Sequence, residues 1–184
     1  MRKMVQKFPP IALGTKRVKV FVDGQNFYHA LKKHGIPRVD YEKLARALAA
    51  EYGSLVGKLL VTGVYVEEGY VFSRRFTDAL RYQGWQVIEI LLKRTPWGHE
   101  EKESDVVLGC EITKDLSNDR WDVVLLLSGD GDLAYPVREA TAMGKLVVVV
   151  QFQDFISRRL AEAASDVRLL DPEFLDPFVI RKAA

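Results

Sequence analysis

Two apolar stretches of this chain each run straight into aspartate. One is Val18-Lys19-Val20-Phe21-Val22-Asp23-Gly24-Gln25-Asn26, and the other is Val123-Val124-Leu125-Leu126-Leu127-Ser128-Gly129-Asp130-Gly131-Asp132. In an open parallel α/β sheet, ligands bind outside the carboxyl ends of the strands, where the strand order reverses. Aspartates gathered there, on turns opened by glycine, suit a divalent cation. Asp105 fits as a fourth carboxylate, because it begins the helix that follows the long polar connection 93–103. Two carboxylates ~5 Å apart repel by about 3 kcal/mol at an effective dielectric of about 20. Three or four together would cancel much of a domain's typical ~5–15 kcal/mol of stability. A proton, Lys102 or a metal ion must offset them. Oxygen-only ligation is what Mg²⁺ and Mn²⁺ prefer, and one or two such ions can activate water and orient a phosphodiester for hydrolysis. Asn26 and Ser128 are the polar residues placed to support the cluster, by holding a carboxylate or by meeting substrate.

Each of these residues also has a plainer role. Asp23, Asp105, Asp130 or Asp132 can cap the helix that follows it, and the Ser128 hydroxyl can bond to backbone. Capping accounts for any one aspartate. It accounts less well for Asp23 together with the Asp130 and Asp132 pair, each placed after a central strand. No GxGxxG follows the first strand and no GxxxxGK[ST] occurs, which argues against dinucleotide binding and a P-loop. A phosphatase that begins with an apolar strand and an aspartate needs a second aspartate two residues later, where this chain has Gln25. His29, His34 and His99 lack a metal-ligand spacing and read as surface residues.

The elements that must position these groups alternate strand and helix, the signature of a parallel sheet with helices on both faces. Strands are expected at about 17–23, 58–66, 85–92, 121–128 and 145–152, with a short edge strand at 167–170. Helices are expected at about 25–34, from an Asp40 cap to about 52, and at 67–83, 104–116, 132–143 and 154–164. Pro96 and Gly98 predict an irregular 93–103, and Gly144 a helix stop. The first, fourth and fifth strands are continuous apolar runs, as when both faces of a sheet are covered. This gives an α/β class, a three-layer α/β/α doubly wound sheet of five to six mainly parallel strands.

The length, 184 residues, suits one domain that buries roughly 70% of its unfolded surface. Expected boundaries are a basic tail over 1–15, a domain over 16–172 and a C-terminal tail over 173–184. The single cysteine, Cys110, excludes an internal disulfide, favours a reducing, cytoplasmic setting and reads as a packed core thiol. No run approaches a membrane span, and the first residues lack a signal-peptide core. The net charge is +2, but residues 1–19 carry six basic groups and no acid, and basic pairs recur at Lys32-Lys33, Arg74-Arg75, Lys93-Arg94 and Arg158-Arg159. Such clusters are what a polyanion binder needs, though a solvated charged face explains them as well.

The segments VKVFVDGQNFY, then EKESD opening a helix, then LLLSGDGDLAYPVREATAMGKLVVVV resemble the NYN domain of the PIN-like nuclease superfamily, in its bacterial LabA-like branch. The resemblance covers roughly residues 17–170. It implies a Rossmann-like sheet, Mg²⁺ or Mn²⁺ held by clustered aspartates, and ribonuclease activity. It carries metal and catalytic roles onto Asp23, Asp105, Asp130 and Asp132, makes Asn26 and Ser128 supporting residues, and places Lys102 at the lysine before the helix aspartate. Glu103-Ser104 departs from the family's small Gly-Val and adds a charge beside the site. The SRRLAEAASD segment resembles the closing helix, with Asp166 structural. The expected activity is hydrolysis of single-stranded RNA by a metal-dependent endonuclease, with Arg74, Arg75, Lys93 and Arg94 gripping the backbone. Trp97, Tyr70 and Tyr135 are available to stack on bases, with packed aromatics as the plainer outcome. The alternative is a non-catalytic RNA-binding or regulatory module that keeps the acidic pocket. No membrane partner is expected, and a homodimer is compatible with the sequence.

Overall fold

Blocks of β-branched residues alternate with amphipathic helices along the chain, and the resulting elements leave every aspartate of interest at one edge of a sheet. A computed structural model describes residues 16–67, 70–71, 74–95, 98–100 and 103–181, with the side chains of all but 66, 67, 70, 71, 93–95 and 98–100. The elements in order are β1 (Arg17–Asp23), α1 (Gly24–Lys33), α2 (Tyr41–Ala50), β2 (Ser54–Val64), β3 (Val66–Glu67), β4 (Tyr70–Val71), α3 (Arg74–Tyr82) and β5 (Gln86–Leu91). Then follow β6 (Lys93–Thr95), β7 (Gly98–Glu100), α4 (Ser104–Ser117), β8 (Val123–Leu127), α5 (Ala134–Ala142), β9 (Leu146–Gln151), α6 (Arg158–Ala163), β10 (Asp166–Leu169) and α7 (Pro172–Leu175).

Six strands form one sheet in the order β10-β9-β8-β1-β2-β5, and every pairing in it is parallel. Strand order reverses between β1 and β8, so the two strands that end in aspartate lie side by side at the switch point. Their register runs from Val18 opposite Val123 to Val22 opposite Leu127, which sets Asp23 and Ser128 level at the strand ends. Val18, Val20 and Val22 pack on one face with Phe27, Leu44 and Leu48, while Phe21 packs on the other with Leu108 and Ile112. Helices α1, α2, α3 and α7 thus cover one face, and α4, α5 and α6 the other. Among the described residues no helix is long and apolar enough to cross a membrane.

Several expectations need correction. The helix expected over 67–83 is confined to Arg74–Tyr82, because Val66-Glu67 and Tyr70-Val71 pair as an antiparallel hairpin first. The connection 93–103 is not wholly irregular: Lys93–Thr95 pairs antiparallel with Gly98–Glu100, an arrangement that tolerates the proline and glycine that exclude a helix. The last long helix starts at Arg158 rather than Asp154, since Ile156 is extended and Ser157 Oγ accepts the Leu160 N–H at 3.1 Å as its cap. Inside β1, Lys19 breaks the apolar run, and its ammonium pairs with the Asp115 carboxylate of α4, both buried. Cys110 is exposed, not a core thiol, because it lies on the outer surface of α4. Residues 173–181, within the segment read as a tail, pack on the domain. Leu175 is fully buried, Val179 bridges Val39, and the Ile180 N–H donates to the Arg38 carbonyl at 3.0 Å.

Candidate active site

Asp23 ends β1 and is 3% exposed. Its Oδ1 accepts the Asn26 N–H at 3.0 Å, so the plain capping role is real. Its Oδ2 accepts the Ser128 hydroxyl at 3.0 Å, so the same carboxylate also reaches the end of β8. Ser128 is fully buried, and its Oγ in turn accepts the Asp130 N–H at 3.1 Å. Asp130 Oδ1 accepts the Asp132 N–H at 2.9 Å and caps a 3₁₀ turn over Gly131–Leu133. Asp132 is exposed, with Arg159 Nη1 at 3.8 Å from its Oδ1.

Asp105 lies in the first turn of α4 and does not cap it; the cap position is Glu103, whose side chain makes no capping bond. The Asp105 carboxyl is half-buried and is pushed up to about 6, first by burial and then by the negative charges of Asp130, Asp23 and Asp132. Asp130, Asp23 and Asp132 thus all lie near enough for Asp105 to feel their charge. Tyr41 beneath them feels the same field: burial, and after it Asp23, raise its hydroxyl above the ordinary range.

Asn26 is held by a second set of bonds. Its Oδ1 accepts the Gly129 N–H at 2.9 Å and the Gln151 Nε2–H at 3.0 Å. A backbone N–H can only donate, so the amide orientation is fixed, and Nδ2 is turned away from both donors. Gln151, fully buried at the end of β9, is locked by its Oε1 accepting the Phe152 N–H at 2.9 Å. Gly129 is required by close packing: a Cβ there would fall 1.7 Å from the Phe155 carbonyl oxygen. The loop is tied down again by the Ser157 N–H, which donates to the Gly129 carbonyl at 2.9 Å.

The model of the NYN domain matches residues 17–171, most of the chain. The chain belongs to the NYN domain family. It is 28% identical over 179 residues to the Low amplitude and bright protein LabA of Synechococcus elongatus, across 92% of this chain and 90% of that protein. It is thus a LabA-like NYN domain, and its three-layer α/β/α sheet is PIN-like. The crystal structure of a protein of unknown function from Vibrio parahaemolyticus matches with a TM-score of 0.69 at 21% identity, over 90% of this chain and 96% of that one. That likeness speaks for the fold alone.

In this NYN domain hydrogen bonds join Asp23, Asn26, Ser128, Asp130 and Asp132, while Asp105 feels Asp130, Asp23 and Asp132 through their charge. Lys102 lies outside the described residues, as do the side chains of Lys93 and Arg94. Arg74 and Arg75 are exposed on α3, across the sheet from α4, and Arg74 pairs with Asp78 at 3.7 Å. No described contact joins them to the cluster. His29 is exposed, whereas His34 is half-buried, stacked on Phe152 at 3.9 Å with Nε2 at 2.9 Å from Asp154 Oδ1. Trp97 and the side chains of Tyr70 and His99 lie outside the description, and Tyr135 is exposed. Asp166 accepts its neighbour's N–H from Val167 at 2.8 Å and has no described link to the site. Gln151 was missed by the sequence reading. Its signal was there: LVVVVQ is an apolar strand that ends in a polar residue, as the two aspartate-bearing strands do.

The donor set is all oxygen and carries excess negative charge, which fits Mg²⁺ or Mn²⁺ in kind. Its spacing is another matter. Among the described residues no three His, Cys, Asp or Glu side chains stand close enough together to hold one ion. The aspartates share an electrostatic field rather than a coordination sphere.

Proposed function

We propose that this NYN domain is a metal-dependent ribonuclease that hydrolyses phosphodiester bonds of single-stranded RNA. The observation that carries the reading is the meeting of Asp23 and Asp130 on Ser128 at the switch point of the sheet, beside an Asp105 carboxyl pushed up to about 6 first by burial and then by Asp130, Asp23 and Asp132. A fold gains nothing in stability from such a cluster, and strongly perturbed carboxyls in a cleft are a mark of functional sites. For Asp105, Asp130, Asp132 and Asp23 to hold the ion, their carboxylates would have to draw closer together than they stand here. A bound Mg²⁺ or Mn²⁺ would supply charge neutralisation at the phosphate and a more acidic water.

The remaining work falls to this chain's own groups. Burial and the neighbouring aspartates raise the Asp105 carboxyl, and a bound cation would bring it back down. Ser128 keeps Asp23 aimed across the two strand ends. Asn26, with its oxygen occupied by Gly129 and Gln151, presents Nδ2 as a fixed donor for a phosphate oxygen. The wide spacing of the carboxylates favours a second reading, a regulatory module that binds RNA without cutting it.

The test uses labelled single-stranded RNA and DNA with Mg²⁺, Mn²⁺ or chelator, comparing the wild type with Asp105→Asn and Asp130→Asn. Cleavage that requires the ion and is lost in both variants supports the nuclease. Salt-sensitive RNA binding without turnover at any ion supports the module. Undiminished cleavage in both variants overturns the assignment of the site.

A further inference from the structure

We propose that the groove between α4 and α5 is the track for the nucleotides that flank the scissile phosphate, and that it receives their bases rather than their phosphates. The proposal rests on the nuclease reading above and names where its substrate lies. The open groove has a volume of about 730 Å³, and two carboxylates of the cluster, Asp105 and Asp132, line it. A strand lying in it therefore delivers its backbone to the acidic site without a turn. From Asp105 to Ser117 the α4 wall runs about 18 Å, at about 1.5 Å per residue. That is room for about three to five nucleotides, with about 3.4 Å per stacked base as the lower spacing.

The chemistry of the walls selects the base side of the chain. On the α5 side Tyr135 is 63% exposed, a flat ring with no ring partner among the described residues. On the α4 side the Thr113 and Ser117 hydroxyls donate inward, to the Gly109 carbonyl at 2.9 Å and the Thr113 carbonyl at 2.9 Å. Their protons are used, so each offers lone pairs to whatever enters. Lone pairs repel phosphate oxygens and accept the exocyclic amino groups of bases. Gly109 faces Pro136 of α5, and a Cβ there would make ordinary contact with the Pro136 ring at 3.6 Å. Among the described residues, Lys114 is the cation that lines the groove and is paired to Glu111 at 3.2 Å in an exposed ion pair, which is weak enough to be exchanged for a phosphate at the rim.

Cys110 gives the groove a built-in reporter, because it is the only cysteine in the sequence, lies exposed and lines this surface. The full chain is treated with a thiol reagent in Ca²⁺, alone and with a single-stranded RNA of about ten nucleotides. At RNA about ten times its Kd, Cys110 modification is expected to slow roughly tenfold, in line with occupancy. Tyr135→Ala should weaken binding about five- to hundredfold with an unchanged unfolding midpoint. RNA seen bound by anisotropy while Cys110 reacts at its free rate overturns the groove. So does protection that follows protein concentration without RNA, which would place a second copy there. Cleavage in Mn²⁺ by the same preparation is scored separately. Cleavage with an unprotected Cys110 sinks the groove and leaves the nuclease standing, while neither binding nor cleavage sinks both.

Discussion

The Ser128 hydroxyl donates to Asp23 Oδ2 at 3.0 Å, a bond between residues 105 positions apart in sequence and adjacent at the centre of the sheet. It exists because β1 and β8 are neighbours, and it converts a topological reversal into chemistry. One hydroxyl holds the Asp23 carboxylate on one side and the Asp130 backbone on the other. The two motifs that looked separate in the sequence meet on a single oxygen atom.

Ser128→Ala removes that junction. A hydrogen bond to a buried charged group is worth about 1–3 kcal/mol, and the variant should lose about that much stability by denaturant unfolding. RNA cleavage should fall about 10- to 100-fold, the usual cost of losing a residue that orients a metal-site ligand. Wild-type stability together with wild-type cleavage would leave the bond without consequence.

Asp105→Asn should stabilise the protein at neutral pH. The native carboxyl is raised to about 6 from an ordinary 3.8, so its favourable contribution is complete below pH 4 and is lost as pH rises through about 6. Because the group is half-exposed, the change is on the order of 1 kcal/mol after allowance for solvent screening. Wild-type stability should therefore decline between about pH 4 and 6 relative to Asp105→Asn, and RNA cleavage should rise over the same window. A variant no more stable than wild type at pH 7 would mean that the charges are already offset.

Much of this was legible in the sequence, for identifiable reasons. Strands β1, β8 and β9 are buried on both faces, so they read as apolar runs, broken only by Lys19 in β1, whose ends are sharp, and the ends carry the chemistry. Asp40 and Gly144 marked helix boundaries by local rules that need no tertiary context. What failed depended on neighbours. The β3–β4 and β6–β7 hairpins are two and three residues per strand, too short for any periodicity to register. Ser157 rather than Asp154 caps α6 because the Gly129 carbonyl, far away in sequence, holds its N–H. Cys110 looked apolar by type, yet α4 turns it outward into a groove that only the packing of α5 creates.

Gly129→Ala should be among the most damaging single-methyl additions in the chain. The new Cβ would meet the Phe155 carbonyl oxygen at 1.7 Å, and backbone on both sides must move. Overpacking of that kind costs about 1–3 kcal/mol, occasionally more. The displaced Gly129 N–H would also release Asn26 Oδ1, so cleavage should fall further than stability. Thermal unfolding and cleavage at a fixed temperature below the midpoint read the two effects separately. An alanine variant with the wild-type midpoint would contradict the packing described for this loop.

The proposed role of Asn26 predicts that Gln151 affects substrate only through it, and a double-mutant cycle tests this. Asn26→Ala deletes the donor, and Gln151→Leu deletes one of the two bonds that aim it. If Gln151 serves Asn26, the loss in kcat from the two changes together should fall short of their sum by about 0.5–3 kcal/mol. Gln151→Glu sharpens the distinction, since it keeps the shape but can only accept, and so draws the Asn26 amide toward itself. That variant should cleave as poorly as Gln151→Leu, measured below the unfolding midpoint of each, with the deficit in kcat rather than KM. Strict additivity, or wild-type turnover in Gln151→Glu, would reduce Gln151 to a buried side chain that merely fills the end of β9.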